Sequence, residues 1–212
     1  MHSEMILASA SPRRVELLRQ QGFSFKTIPS HIPEIYHEQL TGIEVAQVNA
    51  YRKARAVAKK HPDNIVLAAD TLVCLGLRIF GKPASLEEAY EMLEQLQGRT
   101  HHVVTAICLL LLREHRQRLF AEVTAVTFRR MDCVAIRRYL TLVNPLDKAG
   151  AYAIQEQGHL IVESVTGSYS NVVGLPIERL ITELKEWAGP GFFHPAPSPS
   201  TLHPPSSSLE VS

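Results

Sequence analysis

No apolar run in this chain exceeds ten residues. The longest, "VVTAICLLLL" from Val103 to Leu112, is too short to cross a bilayer and reads as a buried strand. No signal peptide is expected from the few residues ahead of "MILAS". Charge of one sign is lacking too: 22 Lys and Arg face 21 Asp and Glu, a net charge of +1. That balance argues against nucleic acid or an anionic membrane as partner, so any attraction for an anion has to be local. Cysteine is scarce. Cys74, Cys108 and Cys133 are isolated and odd in number, which points to buried free thiols in a reducing compartment, the cytoplasm. No Cys/His spacing makes a zinc site, and no His-Glu-x-x-His occurs. A Walker A lysine motif, a kinase loop and a Rossmann glycine fingerprint are all missing, which sets aside kinases and dehydrogenases. There is no internal repeat.

What is present suits one α/β domain. The chain has 212 residues, 45% of them hydrophobic, enough for a single core. Met5–Ser9 reads as a short buried strand, followed by a helix over Pro12–Gln21 and a second strand over 23–30. "HIPEIYHEQ" reads as a loop. A helix is predicted over Thr41–Lys60, opened by a capping box of Thr41 with Glu44, and another over Ser85–Gln97, with Ser85 and Glu88 as its box. "IVLAAD" between them is a strand that ends on Asp70. Two long strands meet at a charged turn, "HRQR", and a short helix starts at Asp132. "NPLDKAGAYAIQEQG" is loop-like, "HLIVESVTGSY" a strand entering a turn, and "LPIERLITELKEW" the closing helix. Alternating helices and strands give the α/β class. Composition changes at Gly189. The last 24 residues hold six prolines and cannot pack a core, so a domain over 1–188 and a disordered tail over 189–212 are expected.

The stretch "SASPRR" carries the first chemical signal. Ser11 fits an N-cap and Pro12 the first helical position, so Arg13 and Arg14 fall in the first turn. That end of a helix prefers negative charge, and two cations there make sense if an anion arrives from outside. Backbone amides, two guanidinium forks and the hydroxyls of Ser9 and Ser11 would converge on a phosphate. Asp70 suits a metal ligand or a base. Lys82 in "GKP", Lys53 in the long helix, the trio Asp147, Lys148 and Gln155, and the hydroxyl-rich "GSYSN" complete the inventory. Together they describe a site for a polyphosphate with a bound cation.

"LASASPRRVELL", "AADTLV", "GKP", "LQGRTHHVVTAI", "PLDKAGAYAIQ" and "GSYSNVVGLP" resemble, in that order, the Maf family of nucleoside triphosphate pyrophosphatases. The likeness runs from Met5 to Trp187. It implies a curved mixed central sheet flanked by helices with a deep nucleotide cleft. It also implies cleavage between the α- and β-phosphates with a divalent cation, Mg²⁺ or Mn²⁺. By the same likeness, Ser9, Arg13 and Arg14 contact phosphate, and Glu34, Lys53, Asp70 and Lys82 surround the metal and phosphates. Asp70 matches the proton acceptor, and Asp70 and Glu34 the metal ligands. "SPRR", "ADT" and "DKAGAYAIQ" resemble the branch that prefers dTTP and UTP, with Arg13, Thr71 and Gln155 as specificity positions. The alternatives are a 7-methyl-GTP pyrophosphatase of the same family and a non-catalytic nucleotide-binding regulator of septum formation. The role implied is clearance of modified nucleotides or a link to cell-division arrest. Oligomeric state is not legible, a homodimer being one option.

Overall fold

Thirteen helices and strands, and three short 3-10 turns, make up the computed structural model, which describes residues 4–188. In chain order they are β1 (Met5–Leu7), α1 (Pro12–Gln20), β2 (Phe25–Thr27), α2 (Gly42–Ala58), β3 (Val66–Leu75), β4 (Arg78–Phe80) and α3 (Leu86–Leu96). Then follow β5 (Thr100–Leu111), β6 (Arg116–Phe128), α4 (Cys133–Leu142), β7 (Val162–Thr166), α5 (Tyr169–Val173) and α6 (Ile177–Ala188). The expectations for residues 189–212 lie outside the described residues.

The seven strands form one mixed sheet in the order β2-β1-β3-β5-β6-β7, with β4 also paired to β3. β1 runs parallel to β2 and β3, and the β3, β5, β6 and β7 pairs are antiparallel. Side chains alternate along a strand, and β3 uses both faces. Val66, Ala68, Leu72 and Cys74 pack on one side with Val45, Ala46, Ala50, Ala54, Val57 and Ala58 of α2. The alanines of α2 leave room for the helix to lie close. Leu67 and Ala69 point to the other side, where Leu17 and Leu18 of α1 and Leu180 and Leu184 of α6 close the core. Val73 joins a third cluster with α3, α4 and Tyr152.

Several boundaries differ from the sequence reading. Asp70 does not end its strand: β3 continues through Thr71, Leu72, Val73 and Cys74, because the long β5 pairs with it from Val66↔Leu110 to Cys74↔His102. The second strand is only three residues long, an edge strand held by the equally short β1. The turn before β6 falls at Leu112–Glu114, with His115 left-handed at φ 52°, so Arg116, Gln117 and Arg118 are already in the ladder. "GSYSN" is not a turn but the start of α5, capped by Ser168. Thr41 and Glu44 form the full capping box, whereas Ser85 caps Glu88 without the reciprocal bond, since Glu88 accepts from Ala84 N. Cys74 and Cys108 are buried, but Cys133 is exposed at the first turn of α4.

The pairing leaves a notch. β1 covers one edge of β3 only at Val66 and Leu67, and β4 covers the same edge only from Val73 onward. Between them, Ala68 to Leu72 have no strand partner on that edge. Asp70 and Thr71 sit in the notch, one on each face of the sheet.

Candidate active site

A cavity of about 640 Å³ opens over this notch. Ser9, Arg13, Arg14, Glu34, Lys53, Asp70, Thr71, Lys82 and Gln155, all named from sequence, line it. They come from the β1–α1 junction, the loop before α2, α2 itself, β3, the turn after β4 and the segment before β7. Their meeting is the work of the fold.

On the α2 face, Asp70 is buried, with one oxygen 2.5 Å from Lys53 Nζ. Lys53 also reaches Glu34 at 2.7 Å, so one ammonium joins two carboxylates. Asn49 stands one helical turn before Lys53, on the same face of α2. Its Nδ2 donates to Asp70 at 3.3 Å and to Ile35 O at 3.0 Å, while its Oδ1 accepts from Ile35 N at 2.9 Å. Asn49 thereby fastens the Glu34 loop to the helix. Tyr36 OH donates to Glu34 at 3.1 Å. Burial pushes the Asp70 carboxyl above the ordinary aspartate range; Lys53 opposes the shift and Glu34 adds to it. Burial works against ionised Glu34 as well, yet Lys53, Lys82 and the Tyr36 hydroxyl bring it down to about 2. Among the described residues Lys82 has no ion-pair partner, so its charge remains available to an anion.

On the opposite face the Arg14 guanidinium is a clamp. Nε donates to Gly174 O at 2.8 Å, Nη1 to Ser9 Oγ at 3.1 Å and Ala69 O at 3.0 Å, and Nη2 to Thr71 Oγ1 at 2.9 Å. Four of its five N–H donors are engaged within the protein, which leaves one for a ligand. Ala69 O is a carbonyl in the strand edge left open by the notch, so Arg14 stands in for a missing strand. Arg13 is the freer arginine: it leans across the cleft to Asp147 at 3.3 Å. Ser11 is the N-cap of α1 but makes no side-chain cap bond, which leaves the first amides of that helix without side-chain partners. Ser9 Oγ accepts from Ser11 N and from Arg14, and keeps its own proton for a ligand.

The segment that carries Gln155 is held from beneath. Lys148 is buried, and its ammonium meets Asn144 O at 2.6 Å, Asp147 at 2.8 Å and Glu156 at 3.2 Å. Gly150 sits at φ +67°, and a Cβ there would come within 2.9 Å of Val73. Only glycine fits that close crossing. Tyr152 OH and His101 Nε2 share a hydrogen bond of 2.8 Å, and both rings pack edge-on against Phe128. Gln155 itself is exposed to the cleft and makes no hydrogen bond with a described residue. Asn49, and Thr105 whose hydroxyl lies 3.0 Å from that of Thr71, were missed from sequence. Each is a polar residue on an otherwise apolar face, the one signal that marked it.

The arrangement suits a polyanion beside a cation. Cationic groups and orphan amides line one wall, and two carboxylates converge on one positive charge. Hard oxygen donors few in number, completed by phosphate oxygens and water, are what Mg²⁺ or Mn²⁺ takes in phosphoryl-transfer sites, so Asp70 and Glu34 fit such an ion. Among the described residues no cluster of three or more His, Cys, Asp or Glu side chains could hold a metal unaided.

The Maf-like protein family matches over residues 4–187. A dTTP/UTP pyrophosphatase of Carboxydothermus hydrogenoformans is 43% identical over 87% of this chain and 98% of its own. Another of that name, from Halalkalibacterium halodurans, is 44% identical over 85% of this chain and 94% of its own. Among solved structures, a HAM1 protein from Coxiella burnetii aligns with 87% of this chain and 99% of its own, at a TM-score of 0.51 and 18% identity, a likeness of fold.

Proposed function

The chain belongs to the Maf-like protein family, and from that premise we propose that it is a nucleoside triphosphate pyrophosphatase acting on dTTP and UTP. One observation carries the reading: nine side chains from six parts of the chain line a single cleft that divides chemically at β3. Names borne by relatives at 42–44% identity support the same substrates.

The reacting phosphates lie over the notch, between the α2 side and the α1 side. Lys53, Lys82 and Arg13 balance their charge, with Ser9 Oγ and the first amides of α1 as donors. Asp70 and Glu34 would hold the divalent cation, which when bound would neutralise phosphate charge and acidify water. Asp70 accepts the proton of the water that attacks the α-phosphorus. Its carboxylate lines the cleft beside Lys53 and Glu34, within reach of an entering phosphate. Lys53 keeps that carboxylate aimed into the cleft. The bond from the α-phosphorus to the bridging oxygen breaks, and pyrophosphate leaves with the monophosphate as second product. On the other side of β3, Gln155 offers one acceptor and two donors to the edge of a pyrimidine. The free thiols suit a reducing compartment, and the proposal places the enzyme in the cytoplasm. Among the described residues no helix is long and apolar enough to cross a membrane.

The test is hydrolysis of a nucleotide panel with Mg²⁺ or Mn²⁺, scored for pyrophosphate. dTTP and UTP should lead, and preference for 7-methyl-GTP would move the chain to another branch.

A further inference from the structure

Two carboxylates converge on Lys53, but they are placed by different means. Asp70 belongs to β3, where pairing with Ala106 of β5 fixes its backbone. Glu34 belongs to residues 28–41, a stretch with no helix or strand, so its place depends on side-chain contacts. One stripe of α2 supplies them. Asn49, Arg52 and Lys53 stand three and four residues apart, on one side of the helix. Arg52 Nη1 donates to Pro33 O at 2.9 Å, Lys53 takes Glu34, and Asn49 takes Ile35. Three consecutive loop residues are held by one helix face.

Asn49 is the member of that stripe that joins the loop to Asp70 through neutral bonds. It is buried and does not line the cleft. Its Oδ1 accepts from Ile35 N, and its two amide protons go to Ile35 O and to Asp70. Both backbone groups of Ile35 are thus paired with one side chain, as a neighbouring strand would pair them. Turning the amide over would set N–H against N–H at Ile35 N and oxygen against oxygen at Ile35 O and Asp70, so the orientation is fixed. We infer that Asn49 is a positioning residue for the divalent cation: by tying Ile35 to Asp70 it holds Glu34 at the spacing from Asp70 at which both carboxylates serve one ion. The inference rests on the pyrophosphatase reading above, in which these two residues hold that ion. Lys53 does not suffice for the task. Its ammonium rides on a flexible four-carbon stem and would follow Glu34 if the loop moved. Its pull on the carboxylates also weakens once a second cation shares them, whereas the bonds of Asn49 to the Ile35 backbone persist.

The experiment measures two affinities in the full chain and in Asn49→Leu. Leucine keeps the branching at Cγ and removes every hydrogen-bonding group. The nucleotide is dUTP with an imido bridge between the α- and β-phosphorus, which resists cleavage. Mn²⁺ binding to its complex is read by electron paramagnetic resonance, and its own binding in EDTA by calorimetry. Asn49→Leu should weaken Mn²⁺ about 10- to 100-fold, the usual cost of losing a partner behind a metal ligand. Metal-free nucleotide affinity should stay within about threefold, because no hydrogen bond of Asn49 goes to Ser9, Arg13 or Lys82. In a Glu34→Gln background, where the loop carries no carboxylate to place, Asn49→Leu should cost Mn²⁺ no more than about threefold. An Mn²⁺ affinity within about threefold of the parent overturns the inference. So does an equal weakening of both affinities, or a further loss of about tenfold or more in the Glu34→Gln background. Should Asn49→Leu fail to fold, Asn49→Asp carries the same test under the same limits, since it keeps the acceptor for Ile35 N and loses both donors. A parent that releases pyrophosphate from dTTP alongside a variant of unmoved Mn²⁺ affinity defeats this inference alone. A parent that turns over no pyrimidine triphosphate defeats both readings together.

Discussion

Replacing Asp70 with asparagine separates chemistry from folding, and its cost can be worked from the contacts. Asp70 gives one oxygen to Lys53 and the other to Asn49 Nδ2. Asn49 cannot turn its amide over, because both its ends are already engaged by the backbone of Ile35. An asparagine at position 70 must then set its own NH₂ against that of Asn49 or against the Lys53 ammonium. One lost hydrogen bond and one unsatisfied buried donor cost about 1–3 kcal/mol. Removing a carboxylate that burial already disfavours returns part of this. At about 2–4 °C per kcal/mol for a domain of this size, Tm should fall by less than about 12 °C. With Asp70 as the proposed proton acceptor, this change should lower kcat/KM for dTTP by about 10²–10⁴-fold. Pyrophosphate release and a thermal melt on the same preparation measure the two effects. A folded Asp70→Asn enzyme within about tenfold of the parent rate would refute the assignment.

Gln155→Ala should lower kcat/KM for dTTP about 5- to 150-fold, and more than for a poor purine substrate. An equal loss on every nucleotide would make Gln155 a phosphate-positioning or folding residue. Acid should weaken the fold through His101, which burial, with His102 nearby, brings down to about 4. Its stabilising effect is complete above the unfolded pKa near ~6.5 and is lost as pH falls toward 4, at most about 3 kcal/mol. Denaturant melts of His101→Phe should start lower, since Tyr152 loses its partner, yet lack this slope; an unchanged slope contradicts the account. Truncation after Ala188 should preserve both rate and Tm, because the family match ends at residue 187, and a large loss of either would show that the Pro/Ser-rich tail completes the fold or the site.

Periodicity and caps made the helices legible. Thr41 with Glu44 marked the start of α2, and both partners make the expected bonds. Strand ends were harder to read, since they depend on the neighbouring strand. Asp70 looked terminal because an acid follows five apolar residues, yet β5 carries the ladder four residues further, to Cys74. β4 is three residues long and exists by pairing with β3, so nothing local announces it. The site residues were visible as motifs, and all nine line the cleft. Their division between two faces of one strand was not visible, because it follows from where β1 stops and β4 begins. Nor was it apparent that Arg14 is largely occupied within the protein while Arg13 is the freer of the pair. Sequence neighbours share a motif, but only the fold decides which guanidinium turns inward.

One assay addresses both the reaction and the base preference. Purified enzyme with Mg²⁺ is given dTTP, UTP, CTP, dATP, GTP and 7-methyl-GTP separately, and the products are resolved by anion exchange. The account predicts monophosphate and pyrophosphate in equal amounts, fastest from dTTP and UTP. Release of inorganic phosphate with a nucleoside diphosphate would contradict the site of cleavage, and faster turnover of a purine nucleotide would contradict the reading of the Thr71 and Gln155 side of the cleft.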